Sequence, residues 1–165
     1  MISKSIKHFL YAIGFTLLLY INIPIWLFWF LPMKKRGTFE SVVWDWDCWA
    51  FKWDVANDSD FCKSSMKNWW GFVLGSNIIF VDFKPGQDEE QEKHEETHVL
   101  QVYILNIFFY PMYILFCGII WLFFPQKHTY YDNPLEMWAR WAAGQQVKIL
   151  PAQWLGGPDD RVPWF

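Results

Sequence analysis

Two long stretches of the chain carry no charged side chain, residues 9–33 and residues 99–126. At about 1.5 Å of rise per helical residue, the first stretch exceeds the roughly 20 residues that a helix needs to cross a bilayer. It predicts a transmembrane anchor within residues 1–36, kinked near Ile21 where Asn22 and Pro24 interrupt the apolar run. A cleaved signal peptide is the rival interpretation, but the run is too long and no small-x-small cleavage site follows it. A buried core helix is a further alternative.

Shorter patterns between the two stretches predict β-strands. Residues 37–70 alternate tryptophans with charged side chains in a broken period of two, which favours a strand or a hairpin. Residues 77–83 form a second strand pattern, which the Lys-Pro-Gly sequence at positions 84–86 ends. Residues 155–165 contain paired glycines and prolines and predict a loosely held C-terminal tail.

Composition narrows the class of protein. The chain is 53% hydrophobic and 22% aromatic but only 19% charged, which excludes disorder and points to contact with membrane lipid. The net charge of -3, without a basic stripe, argues against a nucleic-acid partner. Three cysteines form neither a CxxC pair nor an even disulfide framework. A length of 165 residues suits one compact domain.

The motif with the clearest chemistry is HExxH at residues 94–98. His94 and His98 are four residues apart and therefore share one face of a helix, from which both imidazoles can bind one Zn²⁺. Glu95, next to the first histidine, is placed to act as general base toward the water that zinc activates. The alternative is a charged, solvated helix whose histidines bind nothing.

A catalytic zinc needs a third protein ligand, and few candidates exist in the sequence. Glu136 follows an Asn-Pro pair that marks the start of a helix, and it is the preferred ligand, although it could instead complete a capping interaction there. His128 is the second candidate ligand. It could equally be a surface histidine, or a donor that stabilises the transition state, as could Tyr130 and Tyr131.

The order of these elements resembles small bacterial and phage zincin-like metallopeptidases of the gluzincin type. The matching parts are a strand at residues 75–83, an HExxHxxQ helix, an apolar connection and an NPxExxA helix that begins at residue 133. The resemblance implies that His94, His98 and Glu136 bind Zn²⁺ and that Glu95 is catalytic.

The resemblance also implies that the strand before the helix lines the active-site cleft. A peptide substrate would then bind along this strand in extended form and add a strand to the sheet. The strand residues predicted to receive the substrate are Ser76, Asn77, Ile78 and Ile79.

The shared metal constrains the second apolar stretch. A straight helix over residues 99–126 would cross about 30 Å of hydrocarbon and place Glu136 on the opposite face of the membrane from His94. We therefore expect residues 99–125 to form a re-entrant helical hairpin that turns at Pro111, where an intrahelical hydrogen bond is lost. Its arms of about 12 and 14 residues would be too short to span a bilayer alone.

The sequence thus predicts an α+β, mainly helical protein. We expect a membrane-anchored zincin-like domain over residues 37–154, with a small β-sheet and an apolar helical hairpin, acting as a zinc metallopeptidase on a peptide or protein substrate. One alternative is a non-catalytic membrane structural or interaction protein with a degenerate HExxH. Another is a zinc hydrolase of lipid or ester substrates. Basic residues flank both ends of the anchor, so the charge bias does not orient it.

Overall fold

The computed structural model describes residues 4–56, 71–81 and 86–145. The fold is α+β and mainly helical, with one small mixed β-sheet. The helices are α1 (Lys4–Ile25), α2 (Leu31–Lys35), α3 (Glu89–Leu105), α4 (Phe109–Phe123) and α5 (Pro134–Ala143). The strands are β1 (Phe39–Asp45), β2 (Ala50–Val55), β3 (Gly71–Leu74) and β4 (Asn77–Phe80). The predicted C-terminal tail lies outside the described residues.

The sheet has the strand order β1-β2-β4-β3. β2 and β4 are parallel, and the other neighbouring pairs are antiparallel. Because side chains alternate along a strand, Lys52 and Ile78 face α3, whereas their neighbours Trp53 and Ile79 face the opposite side. The hairpin predicted within residues 37–70 is present as β1 and β2, and residues 57–70 lie outside the described part of the chain.

β4 is an interior strand, and this corrects the predicted substrate strand. It is hydrogen-bonded to β2 on one side and to β3 on the other, so it has no open edge to which a peptide could add. The side chains of Ser76, Asn77, Ile78 and Ile79 are buried as well. Within the described sheet, the edge strand on this side is β3.

α1 packs into the same core as the sheet. Its Tyr11 and Leu18 are buried, and a Cβ on Gly14 would lie 2.4 Å from the Cβ of Tyr103, so only glycine permits this close crossing of α1 and α3. Asn22, also buried, accepts a hydrogen bond from the backbone N–H of Ser76 (3.2 Å). Asn22, which interrupts the apolar run, therefore joins α1 to the turn between β3 and β4 by a hydrogen bond.

The backbone irregularity near Pro24 is a π-helical turn at Trp26–Phe30, which links α1 to α2. The prediction placed a kink near Ile21, but the α-helix continues through Asn22 and Pro24 to Ile25. The turn packs on the sheet through Phe30, whose ring stacks on Trp53 at 4.5 Å between centroids. A π turn often marks the point where a helix accommodates a local packing demand.

The predicted reversal of the second apolar stretch occurs at Asn106 instead of Pro111. Asn106 has φ 53° and ψ -129°, and it separates α3 from α4. Pro111 lies in the first turn of α4, where its missing N–H costs no helical hydrogen bond. The ring of Phe109 lies 6.1 Å from that of His98, so α4 folds back toward α3.

Two helical stretches, His8–Lys35 and Glu89–Phe123, are long and apolar enough to cross a membrane by length and composition. Only 22% and 11% of their most apolar windows is buried, unlike the core helix of a soluble protein. The second stretch is broken at Asn106, and α4 alone measures about 22 Å at helical rise, less than the roughly 30 Å of bilayer hydrocarbon.

Candidate metal centre

Helix α3 carries the HExxH motif, and its start is well defined. The carboxylate of Asp88 accepts hydrogen bonds from the backbone N–H groups of Glu90 (3.1 Å) and Gln91 (3.0 Å), which caps the helix. One turn later, His94 and His98 project from the same face, and their Nε2 atoms are 3.1 Å apart. The predicted spacing therefore does bring both imidazoles to one point.

Helix α5 brings the third side chain. Asn133 caps this helix by accepting a hydrogen bond from the N–H of Leu135 (3.0 Å), and Pro134 occupies its first position. Oε2 of Glu136 lies 3.2 Å from Nε2 of His94, and Oε1 of Glu136 lies 3.3 Å from Nε2 of His98. Glu136 thus contacts the histidines across the α3–α5 interface, and the three side chains form what we call the metal triangle.

The dimensions of the metal triangle fit a metal ion. Ligand atoms at about 2.0–2.1 Å around a tetrahedral zinc are roughly 3.3 Å apart, close to the 3.1 Å between the two imidazole nitrogens. Each imidazole also lies 3.2–3.3 Å from one oxygen of Glu136. Oε2 of Glu136 is buried and has no hydrogen-bond partner apart from the 3.2 Å approach of Nε2 of His94, and a bound cation would satisfy it. His94, His98 and Glu136 are only 2%, 6% and 3% exposed, and together they could hold a metal ion.

The electrostatics of the triangle favour an anionic Glu136. Burial raises the pKa of this carboxyl group, but the neighbouring His98 and His94 outweigh it and hold the pKa below its ordinary value. Tyr113 of α4 donates a hydrogen bond to Oε1 of Glu136 (2.7 Å), which also favours the charged form. A carboxylate and two imidazoles are suitable ligands for a divalent transition metal.

Gln101 orients one of the imidazoles. Its Nε2 donates a hydrogen bond to the carbonyl oxygen of Leu135 (2.8 Å), so its Oε1 must face Nδ1 of His98, also at 2.8 Å. An amide oxygen only accepts, so His98 carries a proton on Nδ1 and points Nε2 toward the triangle. Burial lowers the pKa of this imidazole, but Glu136 outweighs it and raises the pKa to about 9, so a metal ion would have to displace a proton from Nε2. Gln101 also ties α3 to α5.

Glu95 lies beside the triangle and is 3% exposed. Gln91 donates a hydrogen bond to its Oε1 (3.1 Å) and is in turn contacted by the side-chain amide of Gln145 (3.2 Å). A Cβ on Gly71 of β3 would lie 3.2 Å from the same oxygen of Glu95, so a residue without a side chain lets the sheet approach this carboxylate. The edge strand β3 therefore borders the site.

The loop before α5 carries the other predicted site residues. Tyr130 reaches the site: its hydroxyl interacts with the carboxylate of Glu136, and burial followed by that carboxylate raises its pKa. Tyr131 lies outside the triangle and packs against the guanidinium of Arg140, 4.1 Å from its ring centroid. Tyr130 is thus the one of the two tyrosines that remains a candidate donor at the site.

His128 shapes this loop and is not part of the triangle. Its Nδ1 accepts hydrogen bonds from the backbone N–H groups of Tyr130 and Tyr131, both at 3.3 Å. Its own backbone N–H donates to the carboxylate of Asp132 (2.7 Å). Burial lowers the pKa of His128 despite the opposing charge of Asp132, and Arg140 lowers it further. The structure therefore gives His128 a supporting contact with the loop and leaves Glu136 as the third member of the triangle.

Sequence reasoning gave no role to three groups that contact the site: Gln91, Tyr113 and the backbone of Gly71. Gln101 was given no specific partner: its amide, near the polar end of the apolar stretch, was expected only to meet protein or water. The signal for Gln101 was available, because an amide within an apolar helix requires a hydrogen-bond partner. Tyr113 lies in α4, beyond the reversal at Asn106, and no sequence pattern near it predicts its contact with Glu136.

Among the described residues, a second cluster of possible metal ligands consists of Asp45, Cys48 and Glu96. This cluster lies beside a positively charged side chain of the protein, Lys52. The ammonium of Lys52 contacts Asp45, Glu92 (2.5 Å) and Glu96 (3.0 Å). Burial lowers the pKa of Lys52, but Asp45 and Glu92 outweigh it and raise the pKa above its ordinary value. Lys52 in turn outweighs burial at Asp45 and lowers the pKa of that carboxyl group. This cluster is an ion-pair network that joins β2 to α3.

Comparisons with known proteins add no relative: no protein-family model, no curated protein and no solved structure matches this chain. The resemblance to gluzincin-type metallopeptidases accordingly rests on the quoted motifs alone.

Proposed function

We propose that this chain is a membrane-associated zinc metallohydrolase that cleaves amide bonds of a peptide or protein substrate. The observation that carries the proposal is the convergence of His94, His98 and Glu136. The two Nε2 atoms are 3.1 Å apart and each lies 3.2–3.3 Å from a different oxygen of Glu136, although Glu136 is 38 positions beyond His98. If α3 were only a solvated helix whose histidines bind nothing, there would be no reason for a buried carboxylate from another helix to contact them.

Zinc fits this set of side chains better than calcium or magnesium, which prefer oxygen ligands. Two imidazoles and one carboxylate are a common ligand set of catalytic zinc sites, in which a fourth position stays open. When bound there, zinc would supply a Lewis acid that acidifies water and polarises a carbonyl group.

The residues around the triangle have suitable roles. Glu95 would take a proton from the attacking water and return it to the leaving amine, and Gln91 holds one of its oxygens in place (3.1 Å). The hydroxyl of Tyr130 would donate a hydrogen bond to the developing oxyanion. The edge of β3, at Gly71, would pair with an extended peptide and direct it past Glu95.

The proposed membrane association is supported by the exposed apolar helices. Phe9, Leu17 and Ile23 of α1 and Ile114 and Trp121 of α4 are all exposed. Contiguous exposed apolar surface of this kind needs lipid or a partner to cover it. The charged first turns of α3, in contrast, require water, so the site would work at the membrane surface.

The test uses the full chain purified in detergent, with zinc per chain measured by elemental analysis and turnover measured on a fluorogenic peptide library. We expect one zinc per chain in the unmodified protein and much less in His98→Ala. Glu95→Gln should keep the zinc and lose about two to four orders of magnitude in rate, the usual contribution of a general base. Glu90→Gln, a change of an exposed residue five positions earlier in α3, is the matched control and should change neither quantity.

Three outcomes would change the proposal. A chain without zinc would favour the membrane interaction protein with a degenerate motif. A chain with zinc that hydrolyses phospholipid or ester substrates, while leaving the peptide library intact, would favour the lipid or ester hydrolase. Full peptidase activity in Glu95→Gln would remove Glu95 from the mechanism.

A further inference from the structure

An apolar groove lies on the face of the sheet opposite α3. Ile23, Leu27 and Leu31 line its helical wall at intervals of four residues, and Val42 and Phe51 line its wall on the sheet. It encloses a cavity of about 300 Å³, at the lower end of the range for small-molecule sites. We call it the α1–sheet groove. It is separated from the metal triangle by the sheet itself.

The lining of the groove offers a guest no hydrogen bond. Its two polar hydrogens belong to the indoles of Trp26 and Trp53, and both donate to Oδ1 of Asn77, at 2.6 Å and 3.0 Å. The buried amide of Asn77 therefore turns both N–H groups inward. What remains on the lining is carbon, which selects a hydrocarbon guest over a polar one.

The end of the groove nearest Arg36 is positively charged. Lys34 and Lys35 follow Leu31 by three and four residues, so they continue the lining face of the helix by one turn. The ammonium of Lys34 donates to the backbone carbonyl of Glu40 (3.3 Å) and so lies between α2 and β1. Lys34, Lys35 and Arg36 carry three positive charges and Glu40 carries one negative charge, so the formal net charge at this end is +2.

We propose that the α1–sheet groove binds one acyl chain of an anionic phospholipid, with the phosphate held by residues 34–36. The groove opens on a helical stretch, His8–Lys35, that is long and apolar enough to cross a membrane. Leu27 and Leu31 are 54% and 46% exposed at its rim, where bilayer hydrocarbon would meet them. The apolar lining matches the chain, and the basic end matches the headgroup. This inference does not depend on the metal site.

The test is photocrosslinking in membranes. The full chain is reconstituted into phosphatidylcholine vesicles that contain a trace of phosphatidylglycerol with a diazirine in one acyl chain, and mass spectrometry maps the labelled residues after irradiation. We expect labelling concentrated on groove residues. Val42→Trp, which fills the groove from β1, should reduce that labelling at least tenfold. Val43→Trp is the matched control, because it lies next to Val42 on the opposite face of β1, is 54% exposed, and should leave labelling unchanged.

A second arm tests the headgroup. The same photoreactive chain is carried by phosphatidylglycerol, by phosphatidylcholine or by the free fatty acid. Phosphatidylglycerol should label the groove several-fold more than phosphatidylcholine, and the triple change of Lys34, Lys35 and Arg36 to Gln should bring that ratio close to one. Lys127→Gln, an exposed cation beyond α4, should not alter it.

Two results would overturn the inference. One is labelling spread evenly over the exposed face of α1 and unaffected by Val42→Trp. The other is equal labelling by phosphatidylglycerol and phosphatidylcholine in the unmodified chain. Circular dichroism of every variant shows whether a loss of labelling reflects a loss of folding, and the triple variant, which changes only surface residues, provides an independent result if Val42→Trp unfolds.

Discussion

Individual side chains around the metal triangle are held from behind by other polar groups. Gln101 fixes the tautomer of His98, Tyr113 holds one oxygen of Glu136, and Gln91 holds one oxygen of Glu95. Such outer contacts order His98, Glu136 and Glu95 before a ligand arrives, which reduces the entropy lost on binding.

Gln101→Leu should weaken zinc binding by about 10- to 100-fold, the usual effect of removing a hydrogen bond behind a metal-binding histidine. Leucine cannot accept a hydrogen bond from Nδ1–H of His98, so the imidazole loses its preference for the required tautomer. Gln101→Glu should largely restore affinity, since its carboxylate accepts the same hydrogen bond. Chelator competition measures the affinity, and Gln126→Leu, an exposed glutamine beyond α4, is the control. Equal affinity in Gln101→Leu would show that His98 needs no such partner.

Gly71→Ala should lower the rate of hydrolysis while zinc stoichiometry stays constant. The new Cβ would lie 3.2 Å from Oε1 of Glu95 and 3.1 Å from the carbonyl oxygen of Ile79, so either the carboxylate or the strand must shift. A misplacement on the order of 1 Å costs up to about 100-fold in rate. Gly118→Ala is the control, because a Cβ there meets no atom within 4 Å. An unchanged rate in Gly71→Ala would mean that the sheet edge yields without moving Glu95.

At the scale of elements, the ion-pair network of Lys52 joins the β1–β2 hairpin to α3 on the side of the sheet that faces the metal triangle. Lys52 is 6% exposed and meets three carboxylates, from Asp45, Glu92 and Glu96. Removing the single cation leaves these carboxylates to repel one another where water screens them only in part.

Lys52→Met should therefore lower the free energy of unfolding by about 3 kcal/mol at neutral pH. The pKa of Asp45 is lowered in the folded protein, so this stabilisation is present above its ordinary value of 3.8 and is lost as pH falls through the folded value. The raised pKa of Lys52 keeps the stabilisation intact up to its ordinary value of 10.5. The difference between the two proteins should thus be steady from about pH 5 to pH 10 and shrink below pH 4.

Urea unfolding across this pH range measures the difference. Lys93→Met is the matched control, because Lys93 pairs with Glu89 on the same helix at 3.8 Å but both side chains are exposed. Its effect should stay below about 1 kcal/mol. A loss in Lys52→Met that does not change between pH 3 and pH 7 would count against the carboxylates as its cause.

On the scale of the whole molecule, α1 belongs to the folded core and is more than a tether. Tyr11 and Leu18 of α1, and Phe30 of the π-helical turn that follows it, are each 1% exposed, and burying such side chains contributes about 1.5–3 kcal/mol apiece. Their sum is comparable to the lower end of the 5–15 kcal/mol by which domains are stable.

A chain that begins after residue 36 should accordingly fail to fold, whereas cleavage of a true signal peptide would leave a stable domain. The truncated and full-length chains are compared in the same detergent by circular dichroism, and Edman sequencing of the expressed protein identifies its mature N-terminus. A folded truncated chain with undiminished metal content would show that the helix is dispensable.

Local patterns were sufficient for some features and not for others. His94 and His98 could be predicted because helical spacing alone places them together, and Glu136 because zinc chemistry demanded a carboxylate from a capped helix. Pro111 was a misleading guide to the reversal, since proline is as well suited to the first turn of a helix as to its interruption. The interior position of β4 could not be foreseen, because strand order depends on contacts between residues far apart in sequence, such as Phe51 with Asn77.

The reversal at Asn106 has a consequence for membrane topology. Because His98 and Glu136 touch, the chain between them must start and finish on the same face, so it traverses the bilayer an even number of times. With α4 too short for a full traverse, that number is zero, and among the described segments α1 is left as the one that can cross. Because α1 packs on α3 at Gly14 and on the sheet at Asn22, an α1 that crossed would place these contacts within the bilayer. Protease access to an amino-terminal epitope in sealed vesicles would report on which side of the membrane the amino terminus lies.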